Sequence, residues 1–102
     1  MFVEIKSITV TAGNADKMIE KFSKGTVIQT QEGFIEKSVL KSVKKGDNEE
    51  VMVIIKWKDQ QSYTNWKTSD AHKSGHKNKG AKADFIVDSS MALYTVEDTV
   101  TI

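Results

Sequence analysis

Between Trp66 and His76 the chain gathers one of its two tryptophans and both of its histidines, His72 and His76. A neutral imidazole can ligate a metal through either ring nitrogen. An indole offers a broad apolar face that can wedge a flat ligand. Lys67, Lys73, Lys77, Lys79 and Lys82 surround them, opposed between residues 67 and 82 only by Asp70. Together these groups could hold a flat, metal-bearing molecule with acidic edges. Each also has a plainer reading. A tryptophan is most often packing, and a run of lysines is most often a solvated face. His72 and His76 stand at i and i+4, the spacing of a paired metal site on one helical face. No carboxylate completes that stripe, Asp70 being offset from it, so the spacing alone is weak evidence for zinc. Gly75 costs a helix roughly 1 kcal/mol against alanine. It reads either as a fraying helix end or as a gap that admits a macrocycle close to the backbone.

The elements that must position these residues follow from the rest of the chain. Its 102 residues suit one domain spanning 1–102, long enough for a working core. Fifteen basic and fourteen acidic side chains leave a net charge of +1, so no global field steers it to nucleic acid or membrane. The lysine-rich stretch lacks the interleaved aromatics that stack bases. Without cysteine there is no disulfide, thiolate metal site or thiol nucleophile. The first residues, Met1 to Lys6, read as a charged strand and not as a signal peptide. Apolar runs are too short to span a bilayer, so a soluble cytoplasmic protein is expected.

Residues 2–11 alternate and are rich in β-branched types, which predicts a strand. Gly13 stops it and Asn14 is a plausible N-cap. Ala15, Met18, Ile19 and Phe22 then form the apolar stripe of a short helix, with Gly25 placed to end it. A connection over 26–30 and a turn at Gln31, Glu32 and Gly33 lead to a second strand from Phe34 to about Lys44. A turn at 45–48 precedes a third strand over 51–57. Asp59 is predicted to cap a helix carrying Tyr63 and Trp66, and Ser69 with Asp70 to cap a further turn through His76. Residues 77–83 read as loop and 85–96 as the last strand. The order β-α-β-β-α-β is the α+β, ferredoxin-like plan. Apolar side chains occupy both faces of strands one and three: Phe2, Ile8, Val10, Val51, Val53, Ile55 and Trp57 on one, Val3, Ile5, Met52 and Ile54 on the other. Two helices cover only one face of such a sheet, which predicts a homodimer packed sheet to sheet.

On these residues the chain resembles the antibiotic-biosynthesis-monooxygenase superfamily, whose members pair sheets into a dimeric α+β barrel. Within it the chain is most similar to the haem-degrading monooxygenases of the Isd type. The resemblance runs from about residue 2 to 96. Its general marks are Gly13 to Lys17, Glu32-Gly33-Phe34, Trp57-Lys58-Asp59 and the aromatic Tyr63; its specific marks are Trp66, Ser69-Asp70 and His76. The resemblance implies that His76 is the proximal iron ligand and that Trp66 presses the porphyrin out of plane. It implies haem as both cofactor and substrate, O2, and electrons from a reductase or small reductant. The ring would open and release iron, the protein supplying ligation, distortion and exclusion of competing chemistry. Lys73 and Lys77 are candidates to meet the haem propionates.

One residue departs from the pattern. These enzymes carry an asparagine seven residues before the glycine that precedes helix one, and here that position is Lys6. An asparagine amide both donates and accepts, whereas a lysine only donates. Ser7 points to the opposite sheet face and is no simple substitute. Two other readings therefore stand beside haem degradation: a haem-binding or buffering protein with little turnover, and a metal-free oxygenase acting on quinol-like aromatics without need of His76.

Overall fold

The computed structural model describes residues 1–23, 27–44, 46–70 and 84–102. They form β1 (Phe2–Thr11), α1 (Ala15–Ser23), a 3-10 turn (Val27–Thr30), β2 (Phe34–Lys41), β3 (Asn48–Trp57), α2 (Gln60–Lys67) and β4 (Ile86–Thr95). The sheet has the order β2-β3-β1-β4 with every neighbouring pair antiparallel. This is the expected ferredoxin-like α+β arrangement. The predicted further turn of helix through His76 and the loop over 77–83 lie outside the described residues. Among the described residues no helix is long and apolar enough to cross a membrane.

Period-two alternation decides which side chains of β1 and β3 enter the core. Phe2, Ile8 and Val10 of β1 and Val51, Val53, Ile55 and Trp57 of β3 are all buried. Two clusters result. One gathers Phe2, Ile28, Val53, Ile55, Trp57 and Tyr63; the other gathers Ile8, Val10, Ala15, Met18 and Val51. Phe22, at the end of the α1 stripe, packs against both.

Several local readings are corrected. The 26–30 connection contains the 3-10 turn, which drives Ile28 into the core. β2 stops at Lys41, three residues short of the expected Lys44, and β3 starts three residues early, at Asn48. Asn14 precedes α1 as expected, but its side-chain amide donates to Thr11 Oγ1 (2.7 Å). The first amides are taken instead by Glu49 of β3, whose Oε1 accepts from Gly13 N at 2.7 Å and Ala15 N at 3.2 Å. A carboxylate there also meets the positive end of the helix dipole.

Gly33 joins the two halves of the fold. Its φ of +85° lies where only glycine sits freely, and its carbonyl accepts from Lys58 N at 2.7 Å. A Cβ on Gly33 would run into Ser62 Oγ on the first turn of α2. The turn before β2 thus presses directly against the start of α2.

Candidate active site

A cleft opens on the helix-bearing side of the sheet, over β1 and the edge strand β4. It encloses about 400 Å³ and is lined by Lys6 and Ile8 of β1, Met18, Lys21 and Phe22 of α1, and Ile86, Ser89, Ser90 and Met91 of β4. The register explains the lining. Lys6 pairs with Met91 on one side and with Val53 on the other, and Ile8 pairs with Ser89 and Val51. These positions face the helices, and among the described residues α1 packs chiefly over β2 and β3. Met91 and Leu93 are half-exposed, whereas Val51, Val53 and Ile55 on the same face are buried. The volume lies within the usual span of roughly 300–1,000 Å³ for small-molecule sites. Its lining mixes five apolar side chains with Ser89, Ser90 and the two lysines.

Trp66 lies on the same side of the sheet. It does not line this cleft; it is half-buried against the cluster of Phe2, Tyr63 and Trp57. Its helix is set by two anchors. Asp59 is the N-cap, its Oδ1 accepting from Ser62 N and Ser62 Oγ, both at 2.8 Å. Those hydrogen bonds hold the Asp59 carboxyl below the usual aspartate range. Tyr63 packs against Phe2, the two rings tilted by 42° with centroids 5.1 Å apart. Burial, and next the charge of Glu4, push the Tyr63 phenol above its ordinary value. The helix ends where Ser69 Oγ donates to Trp66 O (2.6 Å) and Thr68 Oγ1 to Thr64 O (2.9 Å). Ser69 therefore closes α2 with its hydroxyl, a role its expected part as a cap for the next turn did not include.

Lys67 is also corrected. It does not belong to a solvated run: its Nζ lies 3.1 Å from Glu4 Oε2, and the Glu4 side chain is 1% exposed. The contact is an ion pair without the alignment of a hydrogen bond. Glu4 had no signal of its own in the sequence. Met91, Lys21 and Met18 were likewise missed as lining residues, although strand alternation and the α1 stripe put each on the cleft side. His72, Lys73, His76 and Lys77 lie outside the described residues. Among the described residues no group of three or more His, Cys, Asp or Glu is placed to hold a metal ion.

Residues 1–78 match the family model for antibiotic biosynthesis monooxygenase. The chain belongs to that family. It is 46% identical over 99 residues to the heme-degrading monooxygenase HmoA of Bacillus subtilis (strain 168), covering 94% of this chain and 91% of the relative. A solved Bacillus cereus structure assigned to the same family superposes with a TM-score of 0.89 at 33% identity, over 99% of this chain and 97% of that one. The fold is shared more distantly with MhuD of Mycobacterium tuberculosis, a heme-degrader solved with two hemes in its active site. There the TM-score is 0.77 at 20% identity, over 99% of this chain and all of the other.

Proposed function

We propose that this protein is a haem-degrading monooxygenase that binds haem on the helix side of the sheet and opens the porphyrin to release iron. The observation that carries this reading is near-full-length kinship, at 46% identity, with a heme-degrading monooxygenase. The residues of the cleft fit the substrate. Haem is a flat apolar macrocycle with two carboxylates at one edge. Ile8, Phe22, Ile86 and Met91 supply apolar walls, and Lys6 and Lys21 supply cations for acidic groups.

In this reading His76 ligates the iron, Trp66 bears on the macrocycle, and Lys73 and Lys77 join the cations that meet the propionates. Bound haem supplies the oxygen chemistry, drawing on O2 and an external electron donor. The chain holds the ring, bends it and keeps water away from it. Lys6 occupies the cleft floor opposite Met91, with three N–H donors and no acceptor. It can bind an anion at the cleft but cannot reproduce both halves of an amide. That difference is the specific support for a second reading, haem buffering with little turnover.

We further propose a second copy of the chain on the far side of the sheet. There Ile5, Met52 and Ile54 are only partly covered, and Leu40 and Tyr94 are 43% and 53% exposed. A second sheet would complete the burial that the two helices give the other face.

The test is a titration of the purified protein with ferric haem, followed by ascorbate in air with catalase present. The expected result is a saturable Soret band at one haem per chain that then bleaches while a chelator captures iron. A stable Soret band after reductant would replace degradation by buffering. No band at all would leave neither haem reading standing.

A further inference from the structure

The residues of α2 do little to bury it. Of Gln60 to Lys67, only Tyr63 is buried and Trp66 is half-buried; the rest of the helix is polar. An eight-residue helix of this composition has no independent stability, so its position depends on what ties it to the sheet. Asp59 ties down its first turn and Tyr63 its middle. At its last turn the charged tie is Lys67 to Glu4, across 3.1 Å, with Glu4 almost wholly buried beneath the helix. Lys67 Nζ also lies 5.6 Å from the centre of the Tyr63 ring, one helical turn earlier. Lys67 thus reaches from the turn that carries Trp66 to both the buried Glu4 and the face of the Tyr63 ring. Glu4 sits on β1 two residues before Lys6 and on the same face, so the cleft floor and the support of α2 belong to one strand.

We infer that the Glu4–Lys67 ion pair is a positioning device for Trp66, fixing the last turn of α2 on the sheet so that the indole is held at a set height above the bound substrate. The inference rests on the haem reading for what the indole acts upon, and on the structure alone for its placement. Neither residue touches the cleft: their effect on the reaction passes through Trp66. A carboxylate buried at this depth requires its cation, because an unpaired charge there would draw in water or move the helix.

The test uses the full-length protein without haem and then with it. Trp66 is the more exposed of the two tryptophans, Trp57 being fully buried, so changes in iodide quenching report Trp66. In Glu4→Gln and in Lys67→Met, tryptophan emission is expected to shift to the red and quenching to rise, with far-UV circular dichroism unchanged. Lys67→Arg, which keeps the charge and reach, is expected to retain the native spectrum. With haem, the first two variants are expected to lose about tenfold in kcat with Kd changed less than about threefold, and their resonance Raman markers to move toward a planar porphyrin; a tenfold loss is about 1.4 kcal/mol of barrier. Native emission, quenching and Raman markers in folded Glu4→Gln and Lys67→Met would overturn the inference. Should both fail to fold, Glu4→Asp retains the charge but withdraws the carboxylate by one methylene. The same red shift is then expected, and a native spectrum would overturn the inference. A wild-type protein that does not bind haem would remove the haem reading but leave the emission result to decide the positioning of Trp66.

Discussion

The helix side of the sheet has two halves built from the same strands and finished differently. Toward β2 and α2, Trp57 is fully buried, Phe34 meets it edge-on at 5.8 Å, and Phe2 and Tyr63 close the layer. Toward β4, Ile8 and Val10 of β1 are also buried, yet Met91 and Leu93, paired with Lys6 and Glu4 further along the same strand, remain half-exposed. The sheet offers apolar side chains to both halves, but among the described residues the helices cover chiefly one. Over β4 lies a cleft whose floor carries Lys6 and Ile8 of β1 and whose lining also includes Lys21 of α1. One half spends its hydrophobic surface on stability, and in the proposed reading the other keeps it for haem.

That contrast can be broken by substitution. Trp57→Ala should cost about 3–5 kcal/mol of stability in urea unfolding, as expected for deleting a large buried aromatic. Met91→Ala should cost within about 1 kcal/mol, since its side chain is already half-exposed, while weakening haem binding. A severe stability loss from Met91→Ala would mean that the β4 half is closed core. Gly33→Ala tests the junction with α2, because the added methyl needs a strained φ and the space of Ser62. A loss of about 1–3 kcal/mol is expected from thermal unfolding.

Effects on the ligand come next. His76→Ala should remove the iron–histidine band of the ferric complex, and Trp66→Ala should slow degradation by about tenfold, or about 1.4 kcal/mol of barrier. Unchanged turnover in Trp66→Ala would detach the packed half from the chemistry. Lys6→Asn is expected to raise turnover a few-fold, measured by the rate of Soret bleaching. The smallest effect concerns the Asp59 cap. Its carboxyl titrates below its unfolded value, so its stabilisation of α2 is fully present above the ordinary aspartate pKa of about 3.9. It is lost as the pH falls through the lower, folded-state value. Asp59→Asn should therefore be less stable than wild type at pH 7 and should approach it under acid, read by thermal unfolding across pH.

Much of the fold was legible because its signals are local. Alternation located β1, the 3.6-residue stripe located α1, and Asp59 located the start of α2. The 3-10 turn had no such signal, being too short for a period, and β3 extends back beyond its apolar run because Asn48, a turn-type residue, and the charged Glu49 pair with Thr11 and Val10. The site was legible only in part. Trp66 and Lys6 stood out by type and position, and both lie on the helix side of the sheet. Glu4 read as one charge in an alternating strand. Its burial depends on Lys67, more than sixty residues away in sequence, so no local pattern announces the pair. For the same reason Lys67 was grouped with its neighbouring lysines, although it turns inward.

The central claim is that haem occupies the open half of this face. A crystal structure of the ferric haem complex tests it most directly. The expected complex has the macrocycle against Ile8, Phe22 and Met91, a propionate on Lys6 or Lys21, and the iron on His76. Haem found on the opposite face of the sheet, or ligated without His76, would contradict it.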